Sequence, residues 1–97
     1  MTIQGSQSAC EAAVAKALDA FGKVDVLVNN AGIYGPMGPL ESVDLAAWRD
    51  ALDVNLMGSL LMARAVIPAM KTQGAGSIIQ ISGGGATSPM ANITAYA

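Results

Sequence analysis

Two short apolar runs, "VDVLVN" (Val24 to Asn29) and "GSIIQIS" (Gly76 to Ser82), stand on either side of a long helical pattern. Nothing else in the sequence limits the fold as much. After Asp25 the first run is apolar on both faces, as in a parallel strand covered by helices on both sides. A strand, a helix and a second strand in one sheet form a right-handed crossover with the strands parallel. The predicted order is helix, strand, helix, strand: an α/β chain with its strands parallel.

The flanking segments fit this order. "SACEAAVAKALDAFG" predicts a helix with Ser8 and Glu11 as a capping box, a face of Cys10, Val14, Ala17, Leu18 and Phe21, and Gly22 as its stop. "NAGIYGPMGP" carries three glycines and two prolines and is a loop. A long helix is predicted from about Leu45, capped by Asp44, with Val43 and Trp48 as a hydrophobic staple. Its apolar spacing runs Leu45, Trp48, Leu52, Leu56, Leu60, Ala63, Ile67, and Pro68 should bend or end it near Met70. The first seven residues, "MTIQGSQ", carry little signal.

Composition narrows the function. At 97 residues, 53% hydrophobic and only 12% charged, the chain is more apolar than a small independent domain and reads like the inside of something larger. A net charge of −2 without a Lys/Arg cluster gives no case for nucleic acid. There is no histidine, which removes Ser-His-Asp and Cys-His chemistry and His-ligated metals from within the chain. The single cysteine, Cys10, makes no internal disulfide and reads as a core thiol. No metal site is expected. Residues 1–20 do not read as a signal peptide, and Asp53, Asn55, Arg64 and Pro68 interrupt the most apolar window, so no membrane span is expected and the setting is cytoplasmic.

In parallel α/β sheets, ligands bind at the carboxyl ends of the strands. Here those ends are Asn29-Asn30-Ala31-Gly32 and Ser82-Gly83-Gly84-Gly85. The glycine run lacks the third glycine and the immediate helix of a dinucleotide fingerprint, so a tight loop bringing backbone close to a ligand is preferred over a phosphate loop. Asn55 points with the apolar face of the long helix; it is either a structural amide that tethers a loop or a catalytic one. Asn29 and Asn30 have an equally structural reading as turn-formers. Ser82 has no histidine to act as its base. A tyrosine acts as acid/base near neutrality only beside a cation, and no Lys or Arg follows Lys71, so on these grounds Tyr96 reads as a surface residue and not as an acid/base.

Together, "DVLVNNAG", "VNLMG" within a long helix, and "GSIIQIS" followed by "AYA" resemble the short-chain dehydrogenases/reductases in order and spacing. "LAAWRDALDVNLMGSLLMARAVIPAM" is similar to that family's central helix, and the resemblance covers roughly residues 8–97. It implies a doubly wound Rossmann parallel sheet binding NAD or NADP, with residues 1–97 the central segment of that domain. It implies that Asn30, Ala31 and Gly32 lie along the adenosine side of the cofactor and that Asn29 helps hold the sheet. Asn55 would anchor a water in a proton relay where the helix bends. Tyr96 would be the acid/base, and Ser82 would hydrogen-bond the substrate oxygen.

The chain departs from the family pattern at one position. The family's catalytic serine usually stands where this sequence has Gly83, and Ser82 lies one residue earlier. The family's phosphate-binding glycine motif and catalytic lysine match nothing within these residues. The expectation is therefore an internal segment of an NAD(P)-dependent oxidoreductase that interconverts an alcohol and a carbonyl, inactive and poorly soluble by itself, from a homodimeric or homotetrameric parent. The rival expectation is a non-catalytic module that keeps the long helix as a dimer surface.

Overall fold

The computed structural model describes residues 7–96. Helix α1, Gln7–Phe21, leads to strand β1, Val26–Asn29. After a 3-10 turn at Leu40–Ser42 comes helix α2, Leu45–Leu52. A π turn, Asp53–Met57, joins it without a break to helix α3, Gly58–Gln73. Strand β2, Ser77–Gln80, and a 3-10 turn, Gly84–Ala86, follow. The strands pair in parallel, with Val26 opposite Ser77 and Asn29 opposite Gln80. The chain is α/β in the expected order.

Both strands are shorter than expected, and side-chain chemistry explains one end. The Gln73 amide takes the place of a ladder partner at Val24: it accepts from the Val24 N–H at 3.0 Å and donates to the Val24 carbonyl at 2.8 Å. At the other end the Ile81 N–H still donates to the Asn29 carbonyl at 3.1 Å, so the two strands stay in register up to the edge of the site.

The core lies on one side of the sheet. Val14 of α1 meets Val66 and Met70 of α3, with Leu18, Val24, Leu27, Met62 and Ala65 packed around them. Each such buried side chain contributes about 1.5–3 kcal/mol. Residues opposite each other in the ladder share a face. Leu27, Asn29, Ile78 and Gln80 therefore face α3, while Val26, Val28, Ile79 and Ile81 form the other face. That second face is bare, with Val28 53% and Ile81 51% exposed. Helices on both faces were expected; the described residues cover one.

Three details of the helices differ from expectation. Ser8 lies inside α1 and not at its cap, and Glu11 accepts from Gln7 Nε2 at 3.1 Å, the contact that i,i+4 spacing favours. Cys10 and Val14 are buried, but Phe21 at the end of that face is 81% exposed. The long helix does not bury the predicted stripe. Leu45, Leu56, Leu60 and Ile67 are exposed, and Ala51, Gly58, Val66 and Met70 are buried. Leu45 and Ala51 depart from the stripe already within α2, whereas beyond Asn55 a π turn shifts the face. Its Gly58 N–H reaches back five residues to the Asp53 carbonyl, and the extra residue rotates all that follows by about 100°. One 3.6-residue period drawn through Asn55 therefore cannot describe both halves.

Asp44 caps α2 as expected, accepting from the Ala46 N–H at 3.2 Å. Gly22 and Gly74, both with positive φ, close α1 and α3. Pro68 does not end the helix near Met70; the helix runs on to Gln73. Val66 and Met70 are buried on either side of it and hold both halves against α1. By length and composition Leu45–Gln73 would suffice to cross a membrane. Here its α3 half packs Val66 and Met70 into the core.

Candidate functional site

The carboxyl ends of β1 and β2 open into a cleft of about 620 Å³. Its floor is tied together by one helical residue, Ser59. The buried Asn29 side chain donates to the Ser59 carbonyl at 3.3 Å, and Gln80 Nε2 donates to the Ser59 hydroxyl at 3.1 Å. Ser59 in turn donates to the Asn55 carbonyl at 3.4 Å. Both strand ends are thus fixed to the helix one turn beyond Asn55.

Asn55 sits within the π turn. Its side chain is tied to the loop after β1: Oδ1 accepts from the Ile33 N–H and Nδ2 donates to the Ile33 carbonyl, both at 2.8 Å. This is the tether reading of the residue. Its main-chain carbonyl, at the irregular turn, accepts from the Ser59 hydroxyl and has a second lone pair to offer. Gly32 passes close by, and a Cβ there would lie 3.4 Å from Asn55 Oδ1.

Tyr96 closes the far wall. A Cβ on Gly83 would lie 2.8 Å from the Tyr96 hydroxyl and 3.1 Å from Cε2 and Cζ of the ring. The phenol therefore occupies the volume a side chain at position 83 would need. Gly83 itself is extended (φ −97°, ψ 176°), and the glycine run continues as the single 3-10 turn Gly84–Ala86 with no helix after it among the described residues. A phosphate loop needs that helix N-terminus; the tight-loop reading is the one observed.

Of the residues singled out in the sequence, Asn30, Ala31, Gly32, Asn55, Ser82 and Tyr96 all line this one cleft. Ser82 is exposed at its rim. Among the further lining residues, two with polar side chains escaped sequence reasoning, Gln80 and Tyr34. Gln80 precedes Ser82 by two positions, so the period of the strand could have placed both on one face. Tyr34 lay within a stretch read only as a loop. The cleft has no charged lining residue among those described, and no three His, Cys, Asp or Glu residues among them gather to hold a metal. Polar main chain, amides and hydroxyls at the ends of parallel strands suit an uncharged ligand that is hydrogen-bonded by its edges.

Comparison with known proteins agrees with this architecture. The family model described as short chain dehydrogenase matches residues 1–97. The chain is 45% identical over 86 residues to trans-4-hydroxycyclohexanecarboxylate dehydrogenase of Sinomonas cyclohexanicum, covering 89% of this chain and 32% of that enzyme. It is 54% identical over 71 residues to 3-alpha-(or 20-beta)-hydroxysteroid dehydrogenase of Mycobacterium tuberculosis, covering 73% and 27% respectively. Among solved structures, NAD+-bound xylitol dehydrogenase superposes with a TM-score of 0.88 at 29% identity, over 93% of this chain and 35% of that one. A metagenomic short-chain oxidoreductase in complex with NADP gives 0.83 at 41% identity, over 93% and 41%. The chain thus spans about a third of the length of the relatives it matches, and the paired strands with their crossover helix are part of a Rossmann sheet. With the whole sequence matched and the fold superposed, the chain belongs to the short-chain dehydrogenase/reductase family.

Proposed function

We propose that these residues form the catalytic wall of an NAD(P)-dependent site that interconverts an alcohol and a carbonyl. One observation carries the reading: Tyr96, Asn55 and Ser82, far apart in sequence, line a single cleft at the carboxyl ends of two parallel strands. The bound cofactor, NAD or NADP, supplies or accepts the hydride. In this reading Tyr96 exchanges the proton with the substrate oxygen, and Ser82, at the rim, orients that oxygen. Asn55 has its amide committed to Ile33, so its part in proton relay is through its main-chain carbonyl, held by the Ser59 hydroxyl.

The residues present fit part of the cofactor. Asn30, Ala31 and Gly32 line the cleft together, at the carboxyl end of β1 where a cofactor of a parallel sheet would lie. No charged residue lines the cleft and no helix starts at the glycine run, so the diphosphate finds no partner among these residues. The 97-residue polypeptide alone is therefore expected to turn over no substrate. The names of the relatives support alicyclic alcohols as the substrates to try first.

A second reading, a non-catalytic helix module, draws on the exposed Leu45, Leu56 and Leu60. The same surface suits the homodimer or homotetramer expected of a soluble, cytoplasmic enzyme. Expression of the full reading frame carrying these residues separates the two readings. Alcohol-dependent reduction of NAD or NADP supports the enzyme. Self-association with neither turnover nor cofactor binding supports the module.

A further inference from the structure

We propose that Tyr34 is a positioning residue for Tyr96, its ring holding the phenol against Gly83. The inference rests on the acid/base reading of Tyr96. The two rings lie 4.6 Å apart between centroids with their planes inclined at 48°. Aromatic pairs at such separations add about 0.5–1.5 kcal/mol beyond the area they bury. The Tyr96 ring also lies against Gly83, where a Cβ would fall 2.8 Å from the hydroxyl. The phenol therefore has both a glycine and an aromatic ring as close neighbours.

The main chain brings these two tyrosines together through their neighbours. Gly35 has φ +74°, and a Cβ on it would lie 2.7 Å from the Ala51 Cβ and 3.2 Å from the Ala95 Cβ. This close approach seats the residue after Tyr34 directly on the residue before Tyr96. Two hydrogen bonds fix the same strap. The Gly38 N–H donates to the Asn92 carbonyl at 2.7 Å, and Trp48 Nε1 donates to the Thr94 hydroxyl at 3.0 Å. Ala51 and Ala95 are buried, whereas Tyr34 is 54% exposed. Tyr34 thus adds little to the core. Its ring is spent on Tyr96 and on the wall of the cleft, which it lines beside Asn55 and Gly83.

The test uses the protein expressed from the full reading frame. Tyr34→Leu removes the ring and keeps apolar bulk; Tyr34→Phe keeps the ring. Tyr34→Leu is expected to lower kcat about 10–100-fold, as misplacement of a reacting group does. KM for the alcohol should stay within about twofold, and Tyr34→Phe should restore wild-type kcat. In fluorotyrosine-labelled protein, the 19F line assigned by its loss in Tyr96→Phe should shift in Tyr34→Leu and stay in place in Tyr34→Phe. Wild-type kcat together with an unmoved Tyr96 line in Tyr34→Leu would overturn the inference, even with Tyr96→Phe inactive. Full turnover by Tyr96→Phe would instead sink the acid/base reading. The position of the Tyr96 ring in a crystal structure of Tyr34→Leu then decides whether Tyr34 sets it: a displaced ring supports the inference, and an unmoved one overturns it.

Discussion

Gly83→Ala tests the geometry of the site with one added methyl group. The new Cβ would lie 2.8 Å from the Tyr96 hydroxyl and 3.1 Å from two ring carbons. Carbon atoms in ordinary contact stay about 3.5–4.0 Å apart, so the ring must withdraw by roughly half an ångström to one ångström. It cannot swing freely, because the Tyr34 ring stands 4.6 Å away. A displacement of that size at a reacting group costs on the order of 10²-fold in rate. Gly83 is exposed and extended, so alanine brings no backbone strain, and stability should fall by less than about 1 kcal/mol. The assay is steady-state reduction of NAD or NADP by the alcohol in the full-frame protein, with a thermal melt alongside. The expected pattern is a kcat loss of about 10–100-fold at nearly unchanged Tm. Wild-type kcat in a folded Gly83→Ala protein would refute the claim that Tyr96 acts from against Gly83.

Three further outcomes follow from particular contacts. Gly35→Ala places an L-residue in the left-handed region and a methyl 2.7 Å from the Ala51 Cβ. About 1–2 kcal/mol of backbone cost and about 1–3 kcal/mol of overpacking should appear in denaturant unfolding. Adding Ala51→Gly should relieve the 2.7 Å contact but not the 3.2 Å one with the Ala95 Cβ, and as a helix glycine it costs about 0.5–1 kcal/mol itself, so recovery should be partial at most. Asn55→Ala removes both hydrogen bonds to Ile33 and should cost about 1–3 kcal/mol of stability at roughly 0.5–1.5 kcal/mol each, read as a lowered Tm. The isolated 97-residue chain should self-associate in sedimentation, because one sheet face and one helix stripe are bare and apolar; a monodisperse monomer would count against that.

Much of this arrangement was legible in the residues. The two strands, their parallel pairing and the cleft at their carboxyl ends follow from short apolar runs around a long helix, because few other arrangements satisfy their backbone groups. The caps at Asp44 and Gly22 were legible because a cap is a local hydrogen bond or a local backbone angle. The π turn was not. It inserts no residue type with a distinctive propensity, and "DVNLM" reads as ordinary helix, so the apolar stripe beyond Asn55 was assigned to the wrong face. The partnership of Tyr34 and Tyr96 was hidden for another reason. It depends on a close approach between two loops that no periodicity describes, visible only once Gly35 is seen seated on Ala51 and Ala95. Gln73 behaves alike: its amide shortens β1 by pairing with Val24 across the crossover.

The central claim is that Tyr96, held at the junction of both strand ends, moves the proton. The direct measurement compares wild type with Tyr96→Phe, which removes only the hydroxyl that faces Gly83. Cofactor affinity, followed by the fluorescence of bound NADH or NADPH, should be unchanged, while kcat for alcohol oxidation falls by about 10²–10⁴-fold, the usual worth of a positioned acid/base. Turnover within about twofold of wild type, with the cofactor bound normally, would contradict the account.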